Sequence, residues 1–223
     1  MKILVLGSGA REHALVMALT RTGNNEVFAA PGNAGTAEVV ENVALDPTNP
    51  SVVSQIAEDL GVDLVVIGPE APLVAGVANR LRQKGVAVFG PDQKAAAIEG
   101  SKSFAKEVMT AAGVPTGSAH TVGTMEELEQ ALDDTGAPYV VKADGLAAGK
   151  GVLVTEDRAA AIEHASYYLQ DGTVVVEEFL DGPEVSLFFL SDGTTVVPLA
   201  PAQDYKRAFD GDEGPNTGGM GAY

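Results

Sequence analysis

The chain contains no cysteine, which excludes disulfides and thiolate metal sites. Basic residues are scarce: 14 Lys and Arg stand against 31 Asp and Glu, a formal net charge of -17. A broad footprint on a nucleic-acid phosphate backbone needs a basic surface that this composition does not supply, so any phosphate site must be local. Long apolar runs are missing too. The run Ile3 to Leu6 gives way at once to Gly7-Ser8-Gly9, too short for a signal-peptide core or a membrane span, and the expectation is a soluble cytoplasmic protein. Nor is there a visible serine, histidine and aspartate arrangement for nucleophilic catalysis. What remains is a chain of 223 residues, 45% hydrophobic, long enough to bury a core in one or two domains.

The first hundred residues alternate strand and helix. Residues 2 to 6 suit a parallel strand buried on both faces, and Ala14, Leu15, Ala18 and Leu19 mark a following helical face. Further strands read at Val27 to Ala30, Asp63 to Ile67 and Val86 to Phe89, while Val74, Val77, Ala78 and Leu81 keep the spacing of a covering helix. The pattern predicts an open parallel α/β sheet. Ligands collect beyond the carboxyl ends of such strands, and those ends carry Gly7 to His13, Pro31 to Gly35 and Gly68 to Pro72.

The first of these loops has the G-x-G of a dinucleotide fingerprint, but Glu12 stands in place of the third glycine and strand two ends in Ala29-Ala30-Pro31, without an acid for a ribose. A helix N-terminus after Gly7 and Gly9 still favours an anion, with Arg11 able to add a bidentate contact, as a phosphorylated sugar would require. Taken alone, Arg11, Glu12 and His13 read more readily as an exposed first helical turn with a lone His than as a ligand site; the convergence of the other two loops is what favours a site.

Gly90-Pro91 closes the first domain, and Ser101 is an N-cap for a helix carrying Phe104, Ala105, Val108 and Met109 on one face. Helices are expected at Thr124 to Leu132 and around Ala159 to Leu169. Strands are expected at Thr173 to Phe179, Glu184 to Ser191 and Thr194 to Leu199, the last runs separated by Asp-Gly turn signals. This half reads as α+β. Between the two helices, Tyr139 to Val141 form a short strand from which Lys142 leaves, followed by Gly145, Gly149, Lys150 and Gly151. Glycines there let backbone N–H groups turn toward an anion while the lysines add charge. The loop is not a P-loop, because Gly151 follows Lys150 where Ser or Thr is needed.

Lys102, Lys142 and the run Val174 to Leu180, followed by Glu184, together resemble the ATP-grasp fold. More specifically, GSGAREHA (7 to 14), PGNAGT (31 to 36), GPEAPL (68 to 73), KADGLAAGKGV (142 to 152) and QDYKRAFDGDEGPNTGGMGAY (203 to 223) resemble the glycinamide ribonucleotide synthetase family, in order along the whole chain. Ala10 departs from a usual glycine and Tyr205 from a common histidine. The resemblance implies a pre-ATP-grasp, Rossmann-like α/β domain over residues 1 to 100, a small ATP-grasp subdomain with its nucleotide lid over 101 to 190, and the start of the large subdomain over 191 to 223.

The resemblance implies ATP-driven joining of glycine to 5-phosphoribosylamine in purine synthesis, with Mg²⁺ or Mn²⁺. Lys102 and Lys142 then match nucleotide-contacting lysines, Gly145 to Gly151 the lid, Glu177 and Leu180 the hinge that meets adenine, and Glu184 the ribose-binding acid; Glu178 reads also as a strand-end acid. Gly9, Arg11, Glu12, Gly32, Asn33, Gly35 and Glu70 would cradle the ribose phosphate, and Asn216, Thr217, Gly218 and Gly219 would face glycine and the acyl transfer. Family members continue beyond this segment, and their E-x-N metal pattern has no counterpart before Tyr223, so a fragment lacking its metal ligands is expected; Asp210, Asp212 and Glu213 read as a solvated loop. A related ATP-grasp carboxylate-amine ligase, or a catalytically silent nucleotide-binding module, are the alternatives.

Overall fold

The N-terminal apolar run is a strand, β1 (Lys2–Gly7), in the computed structural model, which describes residues 1–146, 151–211 and 213–223. It begins the first of two units, Met1–Val114 and Pro115–Tyr223. In the first, β1 is followed by α1 (Ala10–Thr20), β2 (Glu26–Pro31), α2 (Ala34–Ala37), β3 (Glu41–Asn42), α3 (Pro50–Leu60), β4 (Leu64–Ile67), α4 (Glu70–Val74), α5 (Val77–Gln83), β5 (Ala87–Phe89), α6 (Gln93–Gly100) and α7 (Lys102–Ala112). The strands form one parallel sheet in the order β3-β2-β1-β4-β5.

Central β1 is buried on both faces, which is why its sequence is apolar without alternation. Leu4 and Leu6 pack with Phe28, Val65 and Ile67 against Val53 of α3 and Val77 and Leu81 of α5. Ile3 and Val5 face the other way, with Val27 and Val66 against Val16 of α1. One expectation needs correction, and one element was not expected. The helix expected across Val74 to Leu81 is two helices, because Gly76 between them adopts φ +86, outside the right-handed helical region. Residues 93–100, over which the sequence reading places no element, are helical; Asp92 caps them by accepting from Ala95 N at 2.8 Å.

The second unit contains β6 (Ala119–Val122), α8 (Met125–Thr135), β7 (Tyr139–Ala143), β8 (Val152–Thr155), α9 (Arg158–Tyr168), β9 (Val174–Glu177), β10 (Phe189–Ser191), β11 (Val196–Pro198), β12 (Asp204–Phe209) and β13 (Glu213–Ala222). An antiparallel sheet runs β6-β9-β7-β8. Val122, Val141, Val174 and Val176 pack onto Leu128 and Leu132 of α8 and Ala161 and Ala165 of α9. By strand alternation the opposite face carries Val140, Lys142, Val175 and Glu177.

The strand expected over Glu184 to Ser191 is shorter. Only Phe189–Ser191 pairs with β11, with an isolated bridge from Ser186 to Ala202. Pro198 and Pro201 on the opposing segment lack the N–H that a continuous ladder needs. Beyond it, β12 and β13 form a hairpin around Asp210-Gly211 with irregular register; the sequence gives no strand signal for β13 because its glycines, with φ +83 at Gly214 and +114 at Gly219, hide any side-chain period. Among the described residues no helix is long and apolar enough to cross a membrane.

Candidate functional site

Two groups of the expected site residues are described, one in each unit. In the first unit the loops after β1, β2 and β4 are tied by specific contacts. Asn33 caps α2, its Oδ1 accepting from Thr36 N at 2.9 Å, and its Nδ2 donates to Ser8 O at 2.9 Å. Asn42 of β3 donates to Asn33 O at 2.8 Å, and Thr36 donates to Asn42 Oδ1 at 2.9 Å. Gly32, at φ +69, lies against this amide: a Cβ there would come within 2.4 Å of Asn42 Oδ1. His13 lies against Gly35, where a Cβ would approach His13 Cε1 to 2.5 Å. Arg11 is exposed, with Nη2 at 3.7 Å from Glu70 Oε2 at the start of α4.

Glu12 corrects the reading of this stretch as an exposed turn. Its side chain is buried, accepting from Gly9 N at 2.7 Å and from Arg11 Nε at 3.2 Å. The loops after β1, β2 and β4 therefore meet at one sheet edge, with Arg11, Asn33, Gly35 and Glu70 drawn together.

In the second unit Lys142 and Glu177 lie on neighbouring strands, two residues out of register, and their side chains meet: Lys142 Nζ donates to Glu177 Oε2 at 2.8 Å. Both are mostly buried. Past β9, Glu178 accepts from Ser118 N at 3.1 Å and from Ser118 Oγ at 3.2 Å, while Glu178 N donates to Ser118 O at 2.9 Å. These bonds hold the segment leading to Leu180, whose side chain is exposed. The ends of the glycine loop are fixed too. Ala143 N donates to Gly151 O at 2.7 Å, His164 Nε2 lies 3.2 Å from the same oxygen, and Asp144 Oδ1 caps Gly145 N at 3.0 Å, with Gly145 at φ +94. Gly149 and Lys150 lie outside the described residues.

Glu184 forms an ion pair with Lys206 of β12. The hydrogen bond to Glu184 is the main reason that Lys206 has its pKa raised, burial opposing it. Asn216 pairs with Arg207 across the β12–β13 hairpin, and Thr217 Oγ1 donates to Lys206 O at 3.0 Å and accepts from Gly219 N at 3.1 Å; Gly218 lies in the same strand. Lys102 is the first residue of α7, after Ser101, whose Oγ accepts from Phe104 N at 3.1 Å as expected. Asn42, Thr36, Ser118 and Lys206 are not singled out as site residues in the sequence, although Thr36 and Lys206 lie inside quoted motifs. Asn42, Ser118 and Lys206 partner expected site residues across a distance that leaves no local spacing to read, whereas Thr36 pairs with Asn33 at the N-x-x-T spacing of a capped helix start. Among the described residues no group of three or more His, Asp or Glu could hold a metal ion.

The family model described as phosphoribosylglycinamide synthetase, N domain, matches residues 1–99, and that described as phosphoribosylglycinamide synthetase, ATP-grasp (A) domain, matches residues 100–223. A protein named phosphoribosylamine–glycine ligase from Leifsonia xyli subsp. xyli is 64% identical over 225 residues, covering 100% of this chain and 54% of its own length. One of the same name from Streptomyces coelicolor is 58% identical over 224 residues, covering 100% of this chain and 53% of its own. The crystal structure of phosphoribosylamine–glycine ligase from Thermotoga maritima matches with a TM-score of 0.83 at 36% identity, over 100% of this chain and 55% of that one. The chain thus spans about half the length of the relatives it matches.

Proposed function

Because the chain belongs to the phosphoribosylglycinamide synthetase family, we propose that its two units serve an ATP-dependent ligase joining glycine to 5-phosphoribosylamine. A carboxylate oxygen of glycine attacks the γ-phosphorus and ADP leaves; the amine of phosphoribosylamine then attacks the acyl carbon of glycyl phosphate and expels inorganic phosphate. The products are glycinamide ribonucleotide, ADP and phosphate. Phosphoryl transfer of this kind asks for positioning and neutralisation of charge more than for a protein nucleophile, which agrees with a chain that has no cysteine.

The observation that carries the reading is Lys142 on the face of the β6-β9-β7-β8 sheet opposite α8 and α9, at the mouth of a loop whose ends at Gly145 and Gly151 are pinned by hydrogen bonds. On this reading Lys142 neutralises ATP phosphates, a role that the family resemblance extends to Lys102 and Lys150. The lid covers the acyl phosphate and excludes water from it. The Ser118-bound segment Glu177 to Leu180 offers backbone groups to adenine, and Glu184 holds the ribose. Arg11, with the Asn33 and Gly35 loop, receives the phosphate of phosphoribosylamine; residues 216–219 face glycine. The described residues do not themselves fit a resident divalent cation, and substrate phosphates are met by lysine, arginine and backbone N–H groups.

Equilibrium binding tests the assignment. Lys142→Ala should weaken ATP binding about ten- to a hundredfold, the value of one charge-assisted phosphate contact, and leave phosphoribosylamine affinity unchanged. Arg11→Ala should do the reverse. Undiminished ATP affinity in Lys142→Ala contradicts the nucleotide site, and equal loss of both ligands in Arg11→Ala contradicts separate sites.

A further inference from the structure

Glu12 occupies the place where a dinucleotide-binding loop has its third glycine, and its side chain is only 4% exposed. The surrounding glycines make room for it. A Cβ at Gly7 would stand 2.5 Å from Glu12 Cγ, one at Gly9 2.9 Å from Oε2, and one at Gly68 2.0 Å from Oε1. Gly7 also has φ +127, a reason of its own to be glycine. Gly9, at φ -88, and Gly68, which has no positive φ, have backbones open to other residues, so at those two positions the carboxylate of Glu12 imposes the requirement.

We infer that Glu12 is a positioning residue for the phosphorylated amine, acting through Arg11 and the Gly7–Gly9 turn without touching the substrate; this rests on the reading under Proposed function. Its Oε2 takes the Gly9 N–H, the donor that a bare glycine turn would offer to an anion. Its Oε1 holds Arg11 Nε, leaving the far end of the guanidinium at the mouth of the three loops, 3.7 Å from Glu70. An incoming phosphate therefore meets Arg11 rather than the turn itself. The same side chain bars a dinucleotide, whose pyrophosphate needs close approach to that turn.

The test uses a polypeptide extended to the full length of the relatives, with Glu12→Ala, Glu12→Gln, Gly68→Ala and the Glu12→Ala/Gly68→Ala double variant. Expected for Glu12→Ala is a KM for freshly generated phosphoribosylamine raised about tenfold, with KM for ATP within about twofold. Glu12→Gln, which keeps the acceptor for Gly9, recovers part of that loss. Thermal melting supplies a readout independent of substrate: Gly68→Ala lowers the midpoint in the parent but not further in the Glu12→Ala background, where the obstructing carboxylate is gone. An unchanged KM for phosphoribosylamine in Glu12→Ala, or an equal rise in both KM values, overturns the positioning role. Additive melting losses overturn the packing on which it stands. A non-additive melting cycle in a protein whose parent form has no activity with phosphoribosylamine keeps the packing but overturns the assigned substrate, and the positioning role with it.

Discussion

Lys142 and Glu177 are the most closely coupled of the expected site residues. Their ion pair, at 2.8 Å with side chains 27% and 12% exposed, is shielded enough that removal of either partner leaves the other poorly solvated. A double-mutant cycle with Lys142→Ala and Glu177→Ala, measured by denaturant unfolding, should give a coupling of about 0.5 kcal/mol or more; strict additivity would mean that the pair contributes nothing. At Lys206 the ion pair with Glu184 raises the folded pKa above the ordinary 10.5. Its contribution is therefore complete below 10.5 and is lost as pH rises through the higher folded value. Lys206→Met should flatten the alkaline limb of the stability profile measured by denaturant unfolding, and an unchanged alkaline limb would mean that the pair plays no part. Residues at this scale were legible as types: a lysine leaving a strand, an arginine after a glycine turn. Their partners were not, since Ser118 reaches Glu178 and Lys206 reaches Glu184 only once strands distant in sequence are placed side by side.

At the scale of elements, α8 shows a rule that local sequence obeys well. Thr124 Oγ1 accepts from Glu127 N at 3.2 Å, and Glu127 Oε2 accepts from Gly123 N at 2.8 Å and Thr124 N at 3.1 Å, a reciprocal cap readable from the T-x-x-E spacing. The Gly123 bond is the largest cause of the lowered Glu127 pKa. A lowered carboxyl contributes stability above its ordinary 4.5 that is lost as pH falls through the folded value. Glu127→Gln should therefore melt lower than the parent at pH 7, with the gap closing in acid; a constant gap would mean that the charge plays no part. Elements whose limits depend on backbone twist or on a partner were harder to read. Gly76 divides one apolar stripe into α4 and α5, β6 is a strand by virtue of pairing with β9, and β12 and β13 pair through a stretch in which glycine leaves little pattern.

For the molecule as a whole, the sequence reading of an N-terminal parallel sheet and a second α+β half agrees with the structure: continuous apolar strands mark the first sheet, where both faces are covered, and the second half packs an antiparallel sheet on α8 and α9. The net charge of -17 makes local cations such as Arg11, Lys102 and Lys142 the places where a polyanionic ligand would be held against an unfavourable general field. On the proposed reading, nucleotide and phosphorylated amine are both such ligands. The direct test of the proposed ligase is ADP release from Mg-ATP by this chain within a polypeptide of the relatives' full length, with glycine and freshly generated phosphoribosylamine supplied together and omitted in turn. The account predicts ADP release that requires both; release indifferent to glycine, or none while the Thermotoga maritima relative turns over in the same assay, would contradict it.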